Sequence, residues 1–210
     1  VDRVLSLFGL YDILGYLLSG LALLVGIWWV VAGGIPEPST AALFGLLAAG
    51  YAAGQLASVA GRAWEDRWWQ WRGRPSDRMI EGTRDPEDED GFDIVGKSVG
   101  EQVEREVGIT GLSPDVRLKL AHAKLRQAQS HGRADTMRAL HGLCRNLAAS
   151  CALVGATAFV VAVAHGGEPR LWIVAGVAPV AGFLFGSRAI RYQWRFSREV
   201  LLGVLALRMP

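Results

Sequence analysis

The chain has 210 residues, of which 51% are hydrophobic and 20% charged, with a net charge of +2. Nearly all the charges fall outside four long apolar runs, which excludes an ordinary soluble domain with charges scattered over every helix. The near-neutral total hides an acidic excess in Glu81–Glu106 and a basic excess in Asp115–Arg145. Neither block has the interleaved aromatics of a nucleic-acid surface, so nucleic acid is not an expected partner.

Val1–Leu10 is short and apolar and is expected along the inner membrane interface. Ile13–Ala32 is the first long run, and about 20 helical residues at ~1.5 Å each cross the ~30 Å hydrocarbon core. It reads as an uncleaved span, because its core is too long for a signal peptide and only Arg3 supplies a preceding positive charge. Asp12 at its start reads as a cap on first-turn amides, the alternative being an intramembrane ion ligand. Trp28 and Trp29 suit the far headgroup layer, and Gly33–Pro38 reads as a helix-breaking outer turn.

The second run, Ser39–Gly61, carries Gly50, Gly54 and Ser58 at every fourth position. On a helix they form one smooth stripe that lets another backbone approach closely. The expectation is self-association through this stripe, with packing against the first or fourth span of the same subunit as the competing use. Gln55, the only amide in the run, reads as a hydrogen-bonding group between helices rather than a pore lining.

From Arg62 to Arg145 the chain is a charged insert. Trp64, Trp68, Trp69 and Trp71 mix with Arg62, Arg67 and Arg72, a pattern expected of an inner membrane interface facing anionic headgroups. The alternative use is an aromatic platform for a nucleotide base or a peptide. Arg84–Asp90 reads as a solvated acidic loop. Gly91–Ser98 (GFDIVGKS) matches the P-loop pattern literally, but an acidic run rather than a hydrophobic strand leads into it. The match is therefore read as chance, with Ser98 and Glu101 as a capping box opening a helix whose Val99, Val103 and Val107 share a face. Gly108 is expected to end that helix. Ser113-Pro114 predicts a second start, with Leu118, Ala121, Leu125 and Ala128 as its apolar stripe and Gly132 as its break. Asp135 is expected to cap a third helix, which continues without a breaker into the third apolar run.

That run, Asn146–Ala164, repeats the small-residue theme at Ala148, Ala152 and Ala156. The fourth, Leu171–Ser187, does so at Gly182 and Gly186, with Pro179 expected to kink it. Cys144 and Cys151 are seven residues apart, about 10 Å along a helix, too far to bond to each other. They read as reduced packing residues, with an intersubunit disulfide or a lipid attachment as alternatives. The basic tail RAIRYQWRFSREVLLGVLALRMP either continues the fourth span inward or folds back along the surface.

These features predict an all-α membrane protein with four transmembrane helices in two hairpins and a helical cytoplasmic insert between them. The expected segments are residues 1–61, the first hairpin; 62–145, the insert; 146–187, the second hairpin; and 188–210, a basic cytoplasmic helix. Arginines flank the inner ends of the runs, whereas the two outer turns hold only Arg170, so the positive-inside bias puts both termini and the insert in the cytoplasm. No HExxH, CxxC, nucleophile elbow or intramembrane carboxylate pair occurs, so no catalytic, cofactor or metal residue is expected. His122, His131 and His141 read as helix-surface residues.

In size, span number and inserted helical region the chain resembles the small four-span membrane effectors of bacterial anti-phage defence loci. The resemblance implies an inner-membrane protein that oligomerises and damages the membrane when its cytoplasmic part receives a partner or ligand signal. The other expectation is a constitutive structural or channel subunit that uses the insert as an assembly platform. The expected partners are the lipid bilayer, further copies of the chain and a cytoplasmic protein.

Overall fold

The computed structural model describes residues 10–34, 39–81, 92–128, 130, 132–165 and 167–207. Several expectations fall outside them: the N-terminal interfacial segment, most of the first outer turn, the acidic Arg84–Asp90 loop, Gly91, His131 and Gly166. The side chain of Asp12 is also outside the described set.

The described residues form seven helices and no strand: α1 Leu10–Ala32, α2 Thr40–Arg72, α3 Pro75–Glu81, α4 Phe92–Val107, α5 Pro114–Gln127, α6 Gly132–Ala164 and α7 Pro169–Ala206. α1, α2, α6 and α7 are each long and apolar enough to cross a membrane, which suggests a multi-pass membrane protein. The chain divides into two compact units. The first takes Val1–Asp66 and Ala139–Ile190; the second takes Arg67–Arg138 and Arg191–Pro210.

The first unit is built on close backbone approach. A Cβ at Gly20 of α1 would strike the Gly50 carbonyl and the Gly54 amide, and one at Gly54 would strike the Tyr16 carbonyl. Such close approach of two backbones requires a residue without a side chain at Gly20 and at Gly54, and it supplies dispersion contact along the α1–α2 seam. The Gly50–Gly54 stripe is thus filled by α1 of the same chain, the use that competed with self-association. α6 and α7 meet similarly. A Cβ on Gly182 would lie 3.1 Å from the Ala148 carbonyl oxygen, and the Pro179 ring lies against Gly155. The core shared by the four helices is correspondingly rich in small side chains: Leu23 and Val30, Ala53 and Ala57, Val154, Ala158 and Ala162, and Leu171.

The second unit has a larger-grained core: Met79 and Ile80 of α3, Val99 and Val103 of α4, Leu118, Ala121 and Leu125 of α5, and Phe196, Val200, Leu201 and Val204 of α7. Ser113 precedes Pro114 at the start of α5, as the sequence predicts, although its side chain makes no capping bond. Gly108 follows α4 at φ +74°, a left-handed turn that glycine adopts without strain. The tail continues the fourth apolar helix as far as Ala206, the first of the two courses expected for it. Phe196, Val200 and Val204 recur at helical spacing and complete the core of the insert.

Two expectations are corrected here, the Ser98 cap and the Gly132 break. Residues 92–98 of the P-loop match are the first two turns of α4, so their backbone does not form the loop that wraps a phosphate. A Cβ at Gly96 would strike the Met79 carbonyl, so glycine stands there to let α4 pack on α3. Ser98 is accordingly an exposed residue inside α4, not the cap that opens it. Gly132 likewise begins α6 rather than ending α5, with Asp135 in the first turn.

Candidate functional site

The first unit buries charge at one end of its apolar helices. α2 leaves its uncharged run at Gly61 and reaches Glu65 one turn later. α6 carries His141 and Arg145, which are four residues apart and so share one helix face. Glu65 Oε1 lies 3.1 Å from His141 Nε2, and Glu65 Oε2 accepts a 3.0 Å bond from Arg145 Nη1. The three side chains are only 9–16% exposed, so the cluster is paired inside the protein rather than solvated. Arg145 Nη2 also donates to Ser58 Oγ at 3.4 Å, and Nε donates to Asn146 Oδ1 at 3.4 Å.

The hydrogen-bond roles of His141 follow from its partners. Its Nδ1 lies 2.9 Å from the Ala189 carbonyl of α7, which only accepts, so Nδ1 carries a hydrogen. Nε2 then faces Glu65 Oε1, and Arg145 occupies the second carboxylate oxygen, so both oxygens of Glu65 are engaged by α6. The cluster ties α2, α6 and α7 together at one level. It can fix helix register.

A second histidine site lies in the second unit. His122 Nε2 is 2.9 Å from Asp135 Oδ1, Arg126 Nη2 donates to Asp135 Oδ2 at 3.2 Å, and the His122 ring meets Phe196 edge to face. Burial pushes the His122 pKa below 6.5, opposed by Asp135 and reinforced by Arg126 and Arg138. Nearby, Glu104 receives Arg117 at 2.8 Å and the Leu112 amide at 2.8 Å, while Lys124 reaches Glu106 at 2.7 Å, which fastens α5 to α4. Among the described residues no three His, Cys, Asp or Glu side chains converge as a metal-binding group.

The residues expected at the membrane interface divide. In the first unit Arg62 is exposed, and the Trp64 ring lies against Gly186, 3.1 Å from where a Cβ would stand. In the second unit Arg67 and Trp71 are exposed, Trp68 is half-buried, and Trp69 is buried, so that its ring packs within the protein. The side chain of Arg72 is outside the described set. Of the expected helix-packing residues, Gly50 and Gly54 meet α1, Ser58 is buried under Arg145, Gly182 meets α6 and Gly186 meets Trp64. Cys144 is buried and Cys151 half-buried, and both are free thiols. Sequence reasoning missed Glu65 and gave His141 to a helix surface. The available signal was the acidic pair Glu65-Asp66 in RAWEDRWW, directly after a small-residue span, together with a His and an Arg four apart at the start of another. No family model, curated protein or solved structure matches the chain.

Proposed function

We propose that this chain is an inner-membrane effector: four helices span the bilayer as two hairpins, and the second unit is the cytoplasmic part that receives a partner or ligand signal. The observation that carries the membrane reading is the exposure of large apolar side chains on the first unit. Phe44, Leu56, Val59, Val163 and Phe183 all point out of the protein, and four helices share the pattern. An apolar surface of that kind calls for lipid as its solvent.

The charge distribution supports a cytoplasmic second unit. At the opposite ends of the spans the one arginine, Arg170, is bound to Glu168, donates to the Gly33 carbonyl at 3.2 Å and lies over the Trp29 ring. That end has no net fixed charge from the pair, whereas Arg62 and Arg188 of the same unit are exposed near the other. The continuity of α6 and α7, which contribute residues to both units, supports a signal passing through the helices. In this reading the Glu65–His141–Arg145 cluster holds α2, α6 and α7 in the resting register.

Membrane damage by an oligomer belongs to the same proposal, and the oligomer needs a surface other than the Gly50–Gly54 stripe. The filling of that stripe within one chain favours a second reading, a constitutive structural subunit with the second unit as its assembly platform. Inducible expression, alone and with neighbouring genes, separates the two when growth and membrane potential are followed. An effector collapses the potential once its partner or signal is supplied, and Glu65→Gln shifts the amount of signal needed. A potential unchanged under every combination contradicts the effector reading and leaves the structural one.

A further inference from the structure

The face of α2 turned away from α1 carries one polar side chain that nothing in the chain answers. Gln55 lies in the uncharged run that ends at Gly61, seven residues before Arg62. At ~1.5 Å per helical residue that is about 10 Å inside the run. Gln55 is exposed, and among the described residues its amide has no hydrogen-bond partner. Thr157 and Ser187 behave differently, each returning its hydroxyl to a carbonyl of its own helix, at Leu153 and Leu184.

Gln55 also falls on a regular seam. Gly45, Ala48, Ala52, Gln55 and Val59 follow one another at spacings of three, four, three and four, and all five are exposed. At about 100° per residue they lie within roughly a quarter-turn of one another. A Cβ at Gly45 would meet nothing within 4 Å. Gly50, Gly54 and Ala57 on the opposite side of the helix are buried, and the two glycines face α1. The seam is therefore separate from the contact that joins α1 to α2, and all of it belongs to the first unit.

We propose that this seam docks a second copy of the chain, α2 against α2 in parallel, with the two Gln55 amides bonded to each other. The inference rests on the membrane-spanning reading and deepens it by naming the surface through which copies associate. On that reading Gln55 faces hydrocarbon, where an unbonded amide is costly, and it stands too deep for a side chain of its length to reach the headgroups. Depth selects the occupant. A partner must offer a donor and an acceptor at the level of Gln55. A second copy inserted in the same orientation does so necessarily, because a two-fold axis along the membrane normal brings identical residues to identical depth. The amide is self-complementary, since it donates through nitrogen and accepts through oxygen. Spacings of three and four are those of two helices crossing with a left-handed twist, and a single polar residue in such a seam fixes its register. Gly45, Ala48 and Ala52 let the two backbones come close.

The test uses the full-length protein, labelled with donor and acceptor dyes on an appended C-terminal tag and reconstituted into phosphatidylcholine vesicles over a range of protein-to-lipid ratios. Energy transfer in the wild type should titrate as a dimer. Gln55→Leu should raise the dissociation constant at least about fivefold, the factor corresponding to ~1 kcal/mol for a hydrogen bond between helices in a membrane. Ala52→Leu, which holds the two backbones apart, should weaken the dimer as well. Leu47→Ala, at an exposed position on a different side of α2, should leave it unchanged. Single cysteines, with Cys144 and Cys151 replaced by serine, then map the contact under oxidation by copper phenanthroline. Ala52→Cys should link two copies, whereas Leu47→Cys and Val163→Cys should not. A wild type that stays monomeric at every ratio overturns the proposal while leaving the membrane reading intact. So does a Gln55→Leu variant that dimerises as tightly as the wild type, or linkage confined to positions off the seam. Failure of the protein to float with vesicles overturns both. In native membranes, linkage of Ala52→Cys to a different polypeptide and not to a second copy also overturns the proposal. If the background without cysteines does not fold, energy transfer in Gln55→Leu and Ala52→Leu with both native cysteines in place decides.

Discussion

In the first unit the buried positions are held largely by alanine, glycine and serine, while Phe44, Leu56, Val163 and Phe183 point outward. In the second unit Ile80, Leu118, Leu125, Phe196 and Leu201 are buried and the ion pairs of Glu104, Glu106 and Asp135 lie over them. Under the membrane-spanning proposal the contrast reflects two solvents. In water a large aliphatic side chain gains free energy by leaving the surface, about 25 cal/mol per Å² of area removed. In hydrocarbon that gain vanishes and close backbone packing takes its place, so small residues move inside. On that proposal α6 and α7, which contribute residues to both units, obey both rules in turn along their length.

The contrast is broken most severely where a side chain is forced between backbones. Gly54→Leu in the first unit would drive α2 into the Tyr16 carbonyl of α1. The variant should yield little folded protein in mild detergent by size-exclusion chromatography. A wild-type yield and elution profile would show that the α1–α2 contact does not carry the fold.

Next in size is the second unit's core. Leu125→Ala removes a fully buried side chain that also supports Gly203 of α7, and should cost about 3 kcal/mol of stability. Leu184→Ala in the first unit removes an exposed one and should cost well under about 1 kcal/mol. Thermal unfolding in detergent reads both, and equal losses would erase the distinction between the units.

The charge cluster sharpens the comparison, because it is the buried polar part of an otherwise apolar bundle. Glu65→Gln leaves Arg145 and His141 without their carboxylate and should destabilise by about 3 kcal/mol. In a double-mutant cycle, Glu65→Gln and Arg145→Met should be strongly non-additive. Additive losses would mean that the pair contributes no coupling energy.

A smaller effect is the pH response of the second unit. The folded pKa of His122 lies below its unfolded value of 6.5, so the unfolded chain binds more protons between the two. The contribution is fully present above pH 6.5 and is lost as pH falls through the folded pKa. Stability of the wild type should therefore decline on acidification, and His122→Gln should flatten that part of the profile. A stability that rises on acidification, with the rise removed in His122→Gln, would reverse the sign assigned to this site. The smallest effect is at the P-loop match: Ser98→Ala should change stability by only a few tenths of a kcal/mol, since Ser98 lies exposed inside α4.

The four long helices were legible because charge is absent from their runs, and the start of α5 because Ser113-Pro114 has few other uses. The helix-to-helix pairings were not legible. Gly50 and Gly54 advertise a smooth stripe, but nothing local says that Gly20 is its partner, because the matching surface lies in another part of the chain. Gly96 misled for the opposite reason. Glycine needed for contact with the Met79 carbonyl fell by chance beside Lys97 and Ser98, and the spacing imitated a phosphate loop. Glu65 and His141 became a site only when α2 and α6 brought them within 3.1 Å.

The claim that the first unit is solvated by lipid and the second by water is tested most directly by spin labels at single cysteines, with Cys144 and Cys151 replaced by serine. Labels at Leu56, Val163 and Val177 should collide readily with oxygen, which concentrates in hydrocarbon, and rarely with a water-soluble nickel chelate. Labels at Val116, Lys119 and Arg126 should show the reverse. Nickel accessibility at Leu56, Val163 and Val177 equal to that at Lys119 would contradict the account.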